Sequence, residues 1–312
     1  MIFALKCGIL YLSIDVKGDS EMKYLESFTL ASESDEIDYL WSFGKTDMQC
    51  YSGTNVYPFK IFPSKSLERL NFEPITVIYG GNGSGKSTIL NLIAEKLQLE
   101  RTAPFNNTPY IEEYLNFCEY KLSFGQNAPR GSRIITSDGV FDSLLDIRSI
   151  NAGVDRQREL LFQEYKSSRE EPYLLRNIND LDEFKRRNEA KRRTKSEYVA
   201  KRLPKELDGM SNGETAYYYF TQKIEENALY LLDEPENSLS PALQCKLRQF
   251  IEDSARFYGC QFIIATHSPF LLSMKDARIY DLDSLPVETK KWTELENVRM
   301  YYDFFKEHEN EF

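Results

Sequence analysis

Only two histidines, His267 and His308, occur in 312 residues, too few for a histidine-built metal centre. Cysteine is also scarce. Cys7, Cys50, Cys118, Cys245 and Cys260 are odd in number and form no C-x-x-C pair, which argues against a disulfide framework or zinc site and fits a reducing cytoplasm. No apolar run approaches the roughly 18 residues of a membrane span, so a soluble, cytoplasmic chain with no membrane partner is expected. Basic residues are outnumbered, 39 Lys and Arg against 49 Asp and Glu, for a net charge of −10. Nucleic acid or an anionic membrane would therefore be met only through a local patch. With 15 Gly and 12 Pro there is no low-complexity bias, and no repeat of roughly 20–50 residues is present. What remains is a globular mixture, 41% hydrophobic, 28% charged and 13% aromatic, long enough for about two domains.

The stretch MIFALKCGILYLSIDV at the start resembles a signal peptide, but it has one early Lys6 and no small-residue cleavage pattern. It reads as a strand or an upstream extension. Met22 opens a second start, which leaves open whether residues 1–21 belong to the native protein. Residues 1–53 are thus read as extension and strands. Two strand-like stretches follow over about 54–79, and the β-branched run Pro74–Tyr79 suits a central parallel strand. Residues 105–210 turn to charged, helix-forming sequence, read as an inserted helical lobe, with strand-like Arg133–Asp138 inside it. Leu229–Leu232 and Gln261–Ala265 are again short apolar strands, separated by a helical segment from Pro241 to Tyr258. Strands alternating with helices predict an α/β sheet, with residues 54–104 and 211–283 forming one core. Residues 284–312 are expected to end in a helix packing its aromatics on that core, without chemistry.

Gly80-Gly-Asn-Gly-Ser-Gly-Lys-Ser-Thr88 stands between the Pro74–Tyr79 strand and the helical spacing of Ile89–Leu97, and matches the P-loop pattern. Glycines let a loop wrap with its N–H groups pointing inward at phosphate oxygens, and the following helix adds its positive end. Lys86 reaches the phosphates as a mobile charge, and the Ser87 hydroxyl is a Mg²⁺ ligand. Leu229-Tyr-Leu-Leu-Asp233-Glu234 is an apolar strand tipped by two acids. Asp233 is placed to hold Mg²⁺ and Glu234 to polarise an attacking water. Thr266-His267-Ser268 ends another apolar strand, where a γ-phosphate contact belongs.

These motifs resemble the ABC-type ATPases, in the soluble branch with RecF, the chromosome-maintenance heads and the OLD nucleases. The likeness runs over most of residues 54–283 in five ordered pieces: the P-loop, the signature-like Met210-Ser-Asn-Gly-Glu214, the Asp233-Glu234 strand, the segment Asp-Glu-Pro-Glu-Asn-Ser-Leu-Ser-Pro241, and His267. It implies ATP and Mg²⁺ as cofactors. ATP would be held by Gly80, Asn82, Gly83, Gly85, Lys86, Ser87 and Thr88, and the metal by Ser87 and Asp233. Glu234 and His267 would be catalytic. Ser211 and Gly213 would touch ATP held by the opposite subunit, so a homodimer forms on ATP binding.

Ser240 stands where relatives often carry His. The Q-loop position is open between Ser137 or Asp138 and Gln126. Too few residues separate Lys86 from Ser211 for long coiled-coil arms. From Lys185 to Lys205, ten basic residues face two acidic ones, read either as a solvated helix face or as a contact for nucleic acid or an acidic partner. The resemblance points to the ATPase component of a prokaryotic defence or nucleic-acid-processing module with a separately encoded effector. The alternatives are a DNA recombination or repair ATPase and, with less in its favour, the ATP-binding subunit of a transporter.

Overall fold

Strand β1 (Leu25–Thr29) and helix α1 (Glu33–Ser42) lead to β2 (Arg69–Asn71), β3 (Ile75–Tyr79) and helix α2 (Lys86–Lys96). Next come β4 (Glu100–Arg101), α3 (Ile111–Phe117), β5 (Glu119–Leu122), β6 (Arg133–Thr136) and the long α4 (Ser137–Glu170). Helices α5 (Lys195–Ala200) and α6 (Asn212–Gln222) precede β7 (Leu229–Asp233), α7 (Pro241–Phe257), β8 (Gln261–Ala265) and the single turn α8 (Pro269–Leu272). The chain closes with β9 (Arg278–Asp281), β10 (Glu288–Thr289) and α9 (Glu296–Glu307). The computed structural model describes residues 22–42, 56–170 except 106, 124 and 126, residues 189, 190, 192 and 194–200, and residues 211–312.

A seven-stranded sheet runs β10-β9-β3-β8-β7-β6-β4, all parallel except the antiparallel pair β9–β10. The runs ITVIY and QFIIA are buried at every position, as strands covered on both faces should be. Their side chains divide by parity. Ile78, Leu229, Leu231, Ile263 and Ala265 pack on one face with Ile89, Leu92 and Ile93 of α2. Val77, Tyr230, Leu232, Phe262 and Ile264 pack on the other with Leu247 and Ile251 of α7 and Phe220 of α6. The smaller antiparallel sheet β2-β1-β5 joins the first face through Leu25, Phe28 and Leu70. This is the P-loop α/β architecture expected from the alternating strands and helices, with its antiparallel portion near the N-terminus.

The two strands expected in 54–79 are β2 and β3, preceded by turns and a short 3-10 segment over residues 57–66. Two expectations change. The region drawn as a helical lobe from 105 opens with the short helix α3 and then gives two strands to the sheets: β5 pairs with β1, and β6 sits between β4 and β7, so long helix starts only at Ser137. Sequence periodicity could not say which sheet so short a strand joins. The tail is helical, but its aromatics do not pack inward. Leu295 and Val298 are buried, whereas Tyr301, Tyr302, Phe304 and Phe305 are each about half exposed. The helix touches the core through its first turn and then runs along the surface. Residues 1–21, Gln126, Met210 and most of Lys185–Lys205 lie outside the described residues.

Candidate functional site

Parallel register brings the motifs together. Ile78, Ala265, Asp233 and Thr136 pair in one row across β3, β8, β7 and β6, so all four strands end at the same edge. The glycine loop, His267, Glu234 and Ser137 leave from that edge, the carboxyl end of the sheet where α/β folds build their sites.

Gly83 and Gly85 have φ of 78° and 104°, the left-handed region open to glycine. A Cβ at Gly80 would stand 2.5 Å from Ser84 Oγ, so the loop closes only without one. Helix α2 starts at Gly85 with no side-chain cap, which leaves its first-turn N–H groups and positive end facing the loop. Lys86, 4% exposed, donates from Nζ to the Gly80 and Gly81 carbonyls at 2.8 and 3.0 Å. Thr88 Oγ1 accepts the Tyr57 hydroxyl at 3.1 Å, while Asn82 is exposed at the loop tip. The loop is held from outside by Asp283, whose Oδ2 accepts the Gly81 N–H at 2.7 Å. Asp283 is set in turn by Asp281, which accepts the Asp283 N–H and the Lys290 ammonium.

Ser87 Oγ meets Asp233 Oδ1 at 3.0 Å. Burial raises the Asp233 carboxyl to about 6; the Ser87 hydrogen bond opposes the rise and the neighbouring Glu234 charge adds to it. Glu234 has φ of 47°, rare for a residue with a side chain, and donates its N–H to the Ala265 carbonyl at 2.9 Å. Its Oε1 lies 3.7 Å from Lys86 Nζ and 4.0 Å from His267 Nδ1, and its Oε2 accepts from Asn237. Five of the expected residues, Lys86, Ser87, Asp233, Glu234 and His267, thus converge on one point.

The donor set fits the groups implied for it. A buried carboxylate beside a hydroxyl is oxygen chemistry suited to a hard cation such as Mg²⁺, which takes few protein ligands and completes its shell with phosphate and water. Among the described residues no cluster of three or more His, Cys, Asp or Glu side chains could hold a metal alone. The uncapped helix start and the buried Ser84 Oγ, which has no partner, fit a polyphosphate.

Ser211 and Gly213 stand elsewhere. Ser211 caps α6 and forms a reciprocal capping box with Glu214, to whose Oε2 its hydroxyl donates at 2.8 Å. A Cβ on Gly213 would meet Leu243 at 3.0 Å and the Ser238 carbonyl at 3.1 Å, so close packing on the segment after β7 accounts for the glycine. None of these partners is in the glycine loop. Ser137 and Asp138 follow Thr136, the register partner of Asp233, and so open α4 beside the acids.

Sequence reasoning missed three residues that brace the site. Asp283 grips the loop. Glu236 accepts the His267 N–H at 2.9 Å, and Asn297 donates from Nδ2 to the His267 carbonyl at 2.9 Å. Glu236 was in view, two residues after Glu234 in the quoted segment. Asn297 carried no signal, in a tail read as having no chemistry.

A protein-family model described as "AAA domain, putative AbiEii toxin, Type IV TA system" matches residues 131–273, which take in β6 through His267 and leave out the glycine loop. The matched segment carries the Asp233–Glu234 strand and His267, and the glycine loop that meets them stands outside it, between β3 and α2. Solved structures similar to it include the SMC head domain from Thermotoga maritima, at 16% identity over 86% of this chain and 98% of that one, TM-score 0.38. Another is the Pyrococcus furiosus Smc head with an extended coiled coil bound to the C-terminal domain of ScpA, at 15% over 92% and 99%, TM-score 0.39. A putative metal-chelate type ABC transporter in an inward-facing conformation aligns at 15% over 90% and 89%, TM-score 0.39. No curated protein matches the chain.

Proposed function

We propose that this protein binds and hydrolyses ATP with Mg²⁺ and uses the cycle to switch between an ATP-bound homodimer and separate subunits. The observation that carries the reading is the meeting of Lys86, Ser87, Asp233, Glu234 and His267 at the tips of adjacent parallel strands. The glycine loop and first turn of α2 hold the phosphates, and Lys86 turns from the loop carbonyls toward the β- and γ-oxygens. Ser87 and Asp233 would hold Mg²⁺, which would offset phosphate charge. Glu234 orients the attacking water and takes its proton, and His267 faces the γ-phosphate. Ser211 and Gly213, at the exposed start of α6, supply the contact across the dimer.

For the biological role we favour the ATPase component of a prokaryotic defence module, because the matched family is described in toxin–antitoxin terms. The Lys185–Lys205 stretch is proposed as its nucleic-acid contact on charge alone. Lys86→Ala tests the central reading. Phosphate release should fall to background, and turnover close to that of the unmutated chain would refute the assignment.

A further inference from the structure

Glu236 is 6% exposed, a carboxylate taken almost wholly out of water directly behind the site. Such burial is costly unless the acid is bonded, and every bond found goes to one residue. Its Oε1 accepts the His267 backbone N–H at 2.9 Å and lies 3.4 Å from the ring Nδ1 of the same histidine. Its Oε2 is buried and has no partner. Glu234 reaches that ring only at 4.0 Å, and its carboxylate is also drawn toward Lys86 and Asn237. Both acids approach the same Nδ1, but only Glu236 also holds the His267 backbone.

One carboxylate oxygen set between the N–H and the Nδ1 of a single residue constrains both backbone and ring. The contact is attractive only when Nδ1 carries a proton, which leaves Nε2 turned away from Glu236. The His267 carbonyl is fixed independently by Asn297, whose own N–H donates to the Tyr79 hydroxyl at 3.2 Å. The backbone on both sides of the ring is thus held, by the segment after β7 at the N–H and by the first turn of α9 at the carbonyl.

We propose that Glu236 is the positioning residue of His267: it holds the imidazole with a proton on Nδ1 and presents Nε2 to the phosphate, while Asn297 anchors the same peptide from α9. This rests on the reading of His267 as the group facing the γ-phosphate. Glu236 touches no substrate and acts through the histidine alone.

The test uses Glu236→Gln in the full chain, which keeps size and one acceptor oxygen but removes the charge that selects the ring proton. ATP affinity in the presence of Mg²⁺ should stay within about twofold, while kcat falls about 10- to 100-fold, the cost of misplacing a group at the reaction centre. The second readout needs no activity. Because the chain has two histidines, [¹⁵N]His protein carrying His308→Gln reports His267 alone by long-range ¹H–¹⁵N NMR. Nδ1 should be protonated with Glu236 present and lose that signature in Glu236→Gln. Unchanged kcat in Glu236→Gln, or an Nδ1 without a proton in the chain that retains Glu236, would overturn the proposal. If instead Lys86→Ala hydrolyses ATP normally, the ATPase reading fails, and the NMR result still decides the role of Glu236.

Discussion

Ser87 Oγ and Asp233 Oδ1 lie 3.0 Å apart although 146 residues separate them, and this bond joins the loop after β3 to the tip of β7. Burial raises the Asp233 carboxyl to about 6, above its ordinary 3.8, so its ionised form weakens the fold. The sign follows from proton linkage. The penalty is absent below about pH 4, grows between the two values and is complete above about pH 6. Asp233→Asn should therefore stabilise the Mg²⁺-free protein at pH 7.5, by on the order of 2 kcal/mol, and abolish hydrolysis. Thermal melts in EDTA at pH 4.5 and 7.5 check this. The gain should appear at the higher pH and shrink at the lower one.

Glu234→Gln keeps size and most hydrogen bonding but removes the base. Hydrolysis should drop by at least ~10²-fold while ATP still binds, so an ATP-held dimer accumulates. Light scattering with and without ATP and Mg²⁺ reads this out. A particle that remains monomeric at saturating ATP would remove the support for the contact through Ser211 and Gly213.

Asp283 should matter to nucleotide affinity without touching nucleotide. Its carboxylate holds the Gly81 N–H, and Asp281 and Lys290 hold Asp283 in place. Asp283→Ala frees the first half of the loop, and ATP should bind about 3- to 10-fold more weakly, the worth of one hydrogen bond of about 1 kcal/mol. Titration calorimetry with a hydrolysis-deficient background measures it. Unchanged affinity would mean the loop keeps its shape unaided.

Two thiols should be inert. Burial pushes Cys118 up to about 12 and Cys260 up to about 11, so at pH 8 almost no thiolate forms at either. Brief iodoacetamide treatment of the native protein followed by peptide mapping should leave both unmodified. Alkylation of Cys260 at the rate of an open thiol would contradict its burial just before β8.

The glycine loop and the Asp233-Glu234 strand were legible because each chemical task restricts the residue types at consecutive positions. Phosphate needs bare backbone in a tight turn, and a metal-facing acid needs an apolar strand to carry it. Glu236 and Asn297 were not legible as a pair, because they meet His267 from 31 and 30 residues away, on opposite sides along the chain. β6 was seen as a strand, but only the fold shows it paired with β7. The exposed aromatics of α9 misled for a related reason. Tyr301, Phe304 and Phe305 have the spacing of a core-facing helix, and spacing carries no information about whether a surface lies opposite. Gly213 was read as an ATP contact, and its close approach to Leu243 and the Ser238 carbonyl by itself favours a glycine there.

The register across β3, β8, β7 and β6 also sets a mechanical limit. With β8 bonded on one side to the phosphate-loop strand and on the other to the acid-tipped strand, the three cannot slide past one another without breaking a buried ladder. The side chains at that edge are therefore carried on one stiff block. Under the proposed function, movement during the cycle would fall to elements at its rim, such as the α4 helix that follows β6 beside Asp233.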